Sequence, residues 1–169
     1  MPTGPRLGEG AEIYPLAKII HPENLSLGPQ STVDDFVFLN AGRSTEVGRY
    51  VHIACHSSVI GGGELSIGDY AVVATGARIL TATDTFRDGA RMSTHLPAEL
   101  RAVVDSPVVI RSDAFVGANA VVMPGVTIAE GAVAGAGSVV TRDLEAWTIY
   151  VGVPARPVGR RPLPRRPGP

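Results

Sequence analysis

Residues 110–145 read "IRSDAF VGANAV VMPGVT IAEGAV AGAGSV VTRDLE" when the chain is divided every six residues. An aliphatic or small residue opens every block, and Ala, Val or Ser holds the fifth place of the first five blocks. An α-helix repeats about every 3.6 residues and a strand about every 2, so neither accounts for a sustained period of six. A parallel β-helix does, because each block supplies a short strand and a tight corner. We therefore predict an all-β fold of hexapeptide repeats in which the first residue of each block points inward.

The same phase extends upstream with two interruptions. Three sets of aliphatic residues are each spaced by six: Leu27, Val33 and Leu39, then Val47, Ile53 and Val59, then Ile67, Val73 and Ile79. The interruptions are two-residue slips near residues 44–45 and in the three glycines at 61–63. Because glycine tolerates positive φ, the favoured interpretation of these glycines is a loop that restores the register. A direct role in cradling a ligand is the alternative.

The period lapses between Ile79 and Ile110, and it ends after Trp147. On a solenoid, a long polar insertion projects from one face and often builds the binding site. We therefore predict one hexapeptide-repeat domain over residues 1–155, with a loop insertion around residues 80–109. Residues 156–169 form a C-terminal tail with five arginines and five prolines. This composition favours an extended, solvated segment over a phosphate-binding one.

The composition narrows the classes of function and the compartment. The chain has 169 residues, enough for one domain, and its net charge of −1 is not typical of a nucleic-acid-binding protein. It has no long apolar run for a membrane span and no signal-peptide core at its beginning. A single cysteine rules out an internal disulfide and suits a reducing cytoplasm. We expect a cytoplasmic protein that binds no nucleic acid and has no membrane span.

The stretch "HIACHSSVIGGG", residues 52–63, holds two of the four histidines and the only cysteine. Three interpretations are open: a metal site, a nucleophile pair of Cys55 and His56, or a general base beside a substrate cleft. A metal site needs converging ligands, and no third histidine lies in phase with His52 and His56. Neighbouring residues in a strand point to opposite sides, which disfavours the nucleophile pair. We expect no metal.

The segment "VGANAVVMPGVTIAEGAVAGAGSVVTRDLEAWTIYVGVPARPVG", residues 116–159, resembles the C-terminal signature of the hexapeptide-repeat acyltransferases. This family includes galactoside and maltose O-acetyltransferases, bacterial sugar O-acetyltransferases and related antibiotic acetyltransferases. The resemblance covers residues 19–160 and depends most on "PGVTI", "GAGSVV" and "GVPAR". It implies a left-handed β-helix, although crossovers between parallel strands are otherwise almost always right-handed. It also implies a homotrimer with acyl-CoA, here acetyl-CoA, in the groove between adjacent solenoids.

The resemblance further implies which residues contact CoA. Ala118 of "VGA" and Ala136 of "GAGS" match positions whose backbone meets the pantetheine arm, and simple corner filling is the alternative role. Thr141 and Arg142 of "VVTRD" and Arg156 of "GVPAR" match positions near the nucleotide end of CoA. Arginine suits phosphate because its planar guanidinium presents a fork of donors.

The candidate residues of the acceptor site are three histidines and one aspartate. CoA already carries an activated acyl group, so the protein needs only to position the acceptor and take its proton. Ile53 opens a block and points inward, so we expect His52 to face outward and to act as the base. Galactoside acetyltransferase-like members place a catalytic histidine in a "TGHP"-like stretch, where this chain has "TATDT" and Asp84. We expect Asp84 to orient His52 or to hold the acceptor, and His56 and His95 to contact it, with His95 the reserve base.

These observations predict a CoA-dependent acyltransferase that moves an acetyl group to a hydroxyl of a sugar or sugar-like small molecule. Attack would be direct, without a covalent enzyme intermediate. The alternative within the fold is N-acetylation of an amino sugar, including a nucleotide-linked one. Outside this class, the alternatives are a non-catalytic solenoid scaffold and a relative of the zinc carbonic anhydrases.

Overall fold

The computed structural model describes residues 4–164, which form a left-handed parallel β-helix of six complete coils and a partial seventh. Each complete coil contributes one short strand to each of three sheets, whose strands are parallel except for the last strand of the second sheet. Helical structure within residues 4–164 amounts to three 3₁₀ turns, Pro22–Asn24, Arg87–Gly89 and Ala98–Leu100. No helix in this range has the length and hydrophobicity that a membrane crossing requires. The all-β class predicted from the repeat and the left-handed coil implied by the family resemblance are confirmed.

The strands stack in the same order along each sheet. The first sheet contains β1 (Arg6–Leu7), β4 (Leu25–Leu27), β7 (Ser44–Val47), β10 (Glu64–Ile67), β15 (Val108–Ile110) and β18 (Thr127–Ile128). The second contains β2 (Glu12–Ile13), β5 (Thr32–Val33), β8 (His52–Ile53), β11 (Val72–Val73), β16 (Phe115–Val116), β19 (Val133–Ala134), β21 (Thr148–Val151) and β22 (Arg156–Arg160). The third contains β3 (Lys18–Ile20), β6 (Phe38–Asn40), β9 (Ser58–Ile60), β12 (Arg78–Leu80), β17 (Val121–Val122) and β20 (Val139–Val140).

The core is a set of columns of aliphatic side chains inside the solenoid. The residues predicted to point inward are all buried, with exposures of 0 to 5%. In the first sheet, for example, Ile67 pairs with Ile110, and Ile110 pairs with Ile128. Burial of each such side chain stabilises the fold by about 1.5–3 kcal/mol relative to exposure. The period of six is therefore the sequence signature of this core.

The two register slips lie at the corner between the third sheet and the first. Val47 follows Leu27 by 20 residues, whereas Ile128 follows Ile110 by 18, so the earlier coils hold two extra residues. Gly61 adopts a φ of 114°, which side-chain-bearing residues rarely adopt. A Cβ at Gly42 would lie 2.2 Å from the carbonyl oxygen of Gly63. These glycines let a longer corner pack closely, which agrees with the register-restoring role.

The insertion between β12 and β15 is an ordered antiparallel hairpin. Its strands are β13 (Ala82–Thr85) and β14 (Ala102–Asp105), with Asp84 opposite Val103. The sequence predicts only a projecting polar loop here, because these strands lack the period of six. The two ends of the hairpin meet where the backbone N–H of Ser106 donates to the carbonyl of Thr81 at 3.2 Å. The hairpin therefore leaves the solenoid through one narrow attachment.

The C-terminal segment packs on the last coil. Strand β22 (Arg156–Arg160) runs antiparallel to β21, so the start of the Arg/Pro-rich tail is paired as well as extended. The guanidinium of Arg161 lies 5.7 Å from the centre of the Trp147 ring and donates to the carbonyls of Asp113 and Gly131. Residues 1–3 of the predicted domain and 165–169 of the tail lie outside the described residues.

Candidate active site

His52 forms a pair with an aspartate of the preceding coil. It lies on β8, with its side chain 49% exposed, while its neighbour Ile53 is 1% exposed in the core. His52 Nε2 lies 2.9 Å from Oδ2 of Asp34, whose side chain is 23% exposed. The same oxygen accepts the backbone N–H of Cys55 at 3.2 Å. If the hydrogen sits on Nε2, facing the carboxylate, Nδ1 is the ring nitrogen that can accept a proton.

The position of Asp34 follows from the stacking of coils. Asp34 comes directly after β5, and its backbone N–H donates to the carbonyl of Ile53 at 3.0 Å. This places the carboxylate at the same corner as the residues that follow β8. Asp34 is not among the residues predicted from the sequence, although its place after the inward-facing Val33 puts it one coil from His52. Arranging the sequence in coils of 20 residues would have placed Asp34 beside the residues that follow His52.

Asp84 lies on the hairpin and has a different partner from His52. Arg101 donates from Nε to Oδ1 of Asp84 at 2.9 Å and from Nη2 to Oδ2 at 3.0 Å. The side chains are 18% exposed for Asp84 and 20% exposed for Arg101. The contacts of a single chain therefore do not join Asp84 to His52. The carboxylate that contacts His52 in the chain is that of Asp34.

The other candidate residues, Cys55, His56 and His95, do not contact the pair of His52 and Asp34 through their side chains. The ring of His56 stacks on Phe36, with centroids 5.2 Å apart and planes 5° from parallel. Cys55 Sγ lies 3.8 Å from Oγ1 of Thr75, and His95 is exposed in the insertion. Within residues 4–164 no three His, Cys, Asp or Glu side chains are grouped so that they could hold a metal ion.

A cleft at the C-terminal end of the solenoid gathers the three residues implied for the nucleotide end of CoA. Its volume is about 240 Å³, and its walls include Thr141, Arg142 and Arg156. Ala118 and Ala136 lie at the same corner of successive coils, because the N–H of the residue after Ala136 donates to the Ala118 carbonyl at 2.8 Å. Ala118 is half-buried and Ala136 is exposed, so neither fills the core.

Comparisons with known proteins place the chain in a family. A family model described as "Bacterial transferase hexapeptide (six repeats)" matches residues 107–142. A dTDP-4-amino-4,6-dideoxy-D-glucose acyltransferase of Escherichia coli is 33% identical over 156 residues, which cover 92% of this chain and 81% of that protein. The chain belongs to the hexapeptide-repeat acyltransferases. The resemblance and the acyltransferase class inferred from the sequence are confirmed.

Solved structures of AntD, an N-acyltransferase from Bacillus cereus, are similar to this acyltransferase over nearly all its length. The complex of AntD with dTDP and 3-hydroxybutyryl-CoA is 32% identical, with a TM-score of 0.87, covering 92% of this chain and 82% of that chain. A variant of AntD in complex with dTDP-4-amino-4,6-dideoxyglucose and coenzyme A is 31% identical, with a TM-score of 0.89, covering 94% and 84%.

The geometry of this acyltransferase offers three chemical elements on one scaffold. The C-terminal cleft presents arginines, which suit phosphate groups. The pair of His52 and Asp34 presents an imidazole held by a carboxylate, an arrangement that suits proton transfer. The hairpin presents the carboxylate of Asp84, which suits a cationic or hydrogen-donating acceptor group.

Proposed function

We propose that this acyltransferase transfers an acyl group from acyl-CoA to the amino group of a nucleotide-linked amino sugar. The observation that carries the proposal is the 33% identity to a dTDP-amino-sugar acyltransferase over 92% of the chain. The similarity to AntD, an N-acyltransferase bound to dTDP and acyl-CoA, supports the same acceptor class. The sequence favours a hydroxyl acceptor, whereas these relatives favour the N-acylation alternative.

The CoA end of the site is assigned to the C-terminal cleft. Arg142 and Arg156 line this cleft with Thr141, and their guanidinium groups would bind the phosphates of CoA. The pantetheine arm would follow the corner marked by Ala118 and Ala136, where small side chains let it approach the backbone closely. This path runs along the solenoid from the last coils toward the coils that carry His52.

The acceptor end is assigned to His52 and Asp84. The amine nitrogen attacks the thioester carbonyl, so a C–N bond forms, the C–S bond breaks, and CoA leaves as the thiol after taking a proton. His52 would take the proton that the nitrogen loses, and Asp84 would hold the amine through its carboxylate. His56 and His95 are the further candidates for contact with the acceptor.

The separation of Asp84 and His52 within one chain supports a site shared between subunits. Asp84 is bonded to Arg101 on the projecting hairpin, whereas His52 is bonded to Asp34 on the solenoid. In a homotrimer, the hairpin of one subunit would cover the His52 face of its neighbour. Sedimentation of the active protein should therefore report a trimer, and a fully active monomer would contradict the shared site.

An acceptor screen tests the proposed function directly. The protein is incubated with acetyl-CoA or 3-hydroxybutyryl-CoA and with dTDP-4-amino-4,6-dideoxyglucose, its free amino sugar, or the matching 4-hydroxy sugar nucleotide. We expect free thiol and an acylated product only with amine acceptors, and fastest release with the nucleotide-linked amine. Turnover of the hydroxyl compound with none of the amine would overturn the proposal.

A further inference from the structure

The bidentate contact between Arg101 and Asp84 gives the hairpin a function beyond covering a site. We propose that Arg101 is a positioning residue that holds the Asp84 carboxylate in the orientation in which it receives the acceptor. The inference rests on the proposed function, because it assigns Asp84 to the acceptor. Arg101 contributes to the rate through Asp84 and has no separate contact with the reacting atoms.

The geometry of the pair is that of a rigid clamp. Arg101 lies just before β14, and its Nε and Nη2 each donate to a different oxygen of Asp84, at 2.9 and 3.0 Å. A planar guanidinium that bonds both oxygens fixes the plane of the carboxylate as well as its distance. Both side chains are about four-fifths buried, so water competes weakly for these bonds. The backbones of Arg101 and Arg91 form a bridge, which ties the clamp to the tip of the insertion.

The clamp leaves the carboxylate able to bind an acceptor. Each oxygen of an ionised carboxylate has two lone-pair sites, and Arg101 uses one on each oxygen. The remaining sites can accept N–H groups of an amine, and the side chain of Asp84 keeps 18% of its surface exposed. Because misplacement of a reacting group by about 1 Å can lower a rate about 10²-fold, a fixed carboxylate matters for the transfer step.

A second Arg–Asp pair, at the base of the hairpin, provides a control. Arg43 donates from Nη2 to Oδ1 of Asp105 at 3.1 Å, and so joins the base of the hairpin to the third coil. Its side chains are more exposed, 53% for Arg43 and 34% for Asp105. This pair is also an arginine–carboxylate contact, although Arg43 donates to Glu64 as well, at 3.3 Å. Its carboxylate is assigned no contact with the acceptor.

A double-mutant cycle separates positioning from general structural support. The cycle compares kcat/KM of the full-length protein with those of Arg101→Ala, Asp84→Asn and the double variant. We expect Arg101→Ala to lower kcat/KM about 10²-fold, and the double variant to be no slower than Asp84→Asn alone. Arg101→Lys keeps the charge but loses the planar fork, so it should restore only a small part of the activity. Arg43→Ala should keep near-wild-type activity. In a double variant with Asp84→Asn, any small fold-loss from Arg43→Ala should multiply with the fold-loss from Asp84→Asn, because the two sites act independently.

Several results would overturn the inference. Losses from Arg101→Ala and Asp84→Asn that multiply would show that Arg101 acts independently of Asp84. Full activity of either single variant, or full rescue by Arg101→Lys, would also exclude the clamp. CoA affinity and the melting temperature, measured on every variant, should stay near wild type, and a loss of CoA binding in Arg101→Ala would assign Arg101 a structural role instead. The cycle can be run with whichever acceptor turns over, so a hydroxyl acceptor would overturn the proposed function while still testing the clamp.

Discussion

The coils of the solenoid and the hairpin that projects from it are stabilised in different ways. In the coils, a residue such as Ile110 is fully buried and lies between Ile67 and Ile128 of the neighbouring coils. In the hairpin, each strand has a single partner, and the residues of β14 are mostly exposed. The most specific contact there is the ion pair of Asp84 and Arg101. Stability therefore resides mainly in the coils, and the hairpin is the region for which we propose contacts with the acceptor.

The largest expected effect comes from removing the hairpin altogether. Because Ser106 bonds to Thr81 across its base, a short Gly-containing turn can replace residues 82–105 without opening the solenoid. We expect a folded protein that binds CoA but whose rate of acyl transfer is lower by more than about 10³-fold. The reason is that the deletion removes both Asp84 and the part of the chain proposed to cover the acceptor. Thermal unfolding and CoA titration measure the first part, and thiol release measures the second. An active hairpin-deleted protein would place the acceptor site wholly on the coils.

The second prediction concerns the part of the site that the coils supply. His52→Ala should lower kcat by about 10²–10⁴-fold, because removal of a general base typically has this effect. Its melting temperature should not change, since the His52 side chain is half exposed. His21→Ala, at another exposed histidine of the solenoid, is the control and should retain full activity. If His95→Ala loses turnover and His52→Ala does not, the base lies on the hairpin and the division of roles changes.

The third prediction tests where the stability resides. Ile110→Ala should lower the free energy of unfolding by about 2–5 kcal/mol, because it leaves a cavity between two coils. Val109→Ala, at the outward-facing and partly exposed neighbour, should have a much smaller effect. Denaturant unfolding measures both variants, and kcat of the folded Ile110→Ala protein should stay near wild type. Equal destabilisation by the two substitutions would contradict the inside–outside distinction.

The smallest expected effect concerns the attachment of the hairpin and its pH dependence. The hydrogen bond from Arg43 holds the pKa of the Asp105 carboxyl below its ordinary value of 3.8. A carboxyl with a lowered pKa in the folded state stabilises the fold above the unfolded pKa, and this contribution is lost as the pH falls through the folded value. Because Asp105 is one-third exposed, the contribution is small.

Thermal unfolding of the wild-type protein and of Asp105→Asn, at about pH 7 and about pH 3, should show the loss of this stabilisation. The wild-type protein loses part of the Asp105 contribution at the lower pH, whereas Asp105→Asn lacks it at both values. The stability difference between the two proteins should therefore shrink on acidification. A difference that stays constant or grows would show that the Arg43 contact does not stabilise the attachment.

The fold could be predicted from the sequence because its core repeats. Every coil buries residues at the same positions, so a period of six in aliphatic residues reports the solenoid directly. The hairpin has no such repeat: its strands "ATDT" and "AVVD" are short and mostly exposed or half-buried. The sequence alone therefore located the insertion without its internal pairing.

The contacts of the candidate site were harder to predict than the residues that form them. His52 was identified as outward-facing because its neighbour Ile53 is in phase with the core. Its contact with Asp34, however, depends on how two coils of 20 residues stack, and the corner glycines set that length. The contact of Asp84 with Arg101 depends on the register of a hairpin that no strong hydrophobic pattern specifies.

Strand β22 has a consequence for how long such a solenoid can become. A parallel β-helix is open-ended, because the edge of each sheet can accept a further strand in the same direction. Strand β22 binds the edge of β21 in the opposite direction, and Arg161 secures it beside Trp147. The reversal ends the parallel stacking of the second sheet and covers the edge of β21. An additional 18-residue coil inserted before β21 would therefore yield a longer rod with the same terminus, so length and termination can evolve separately.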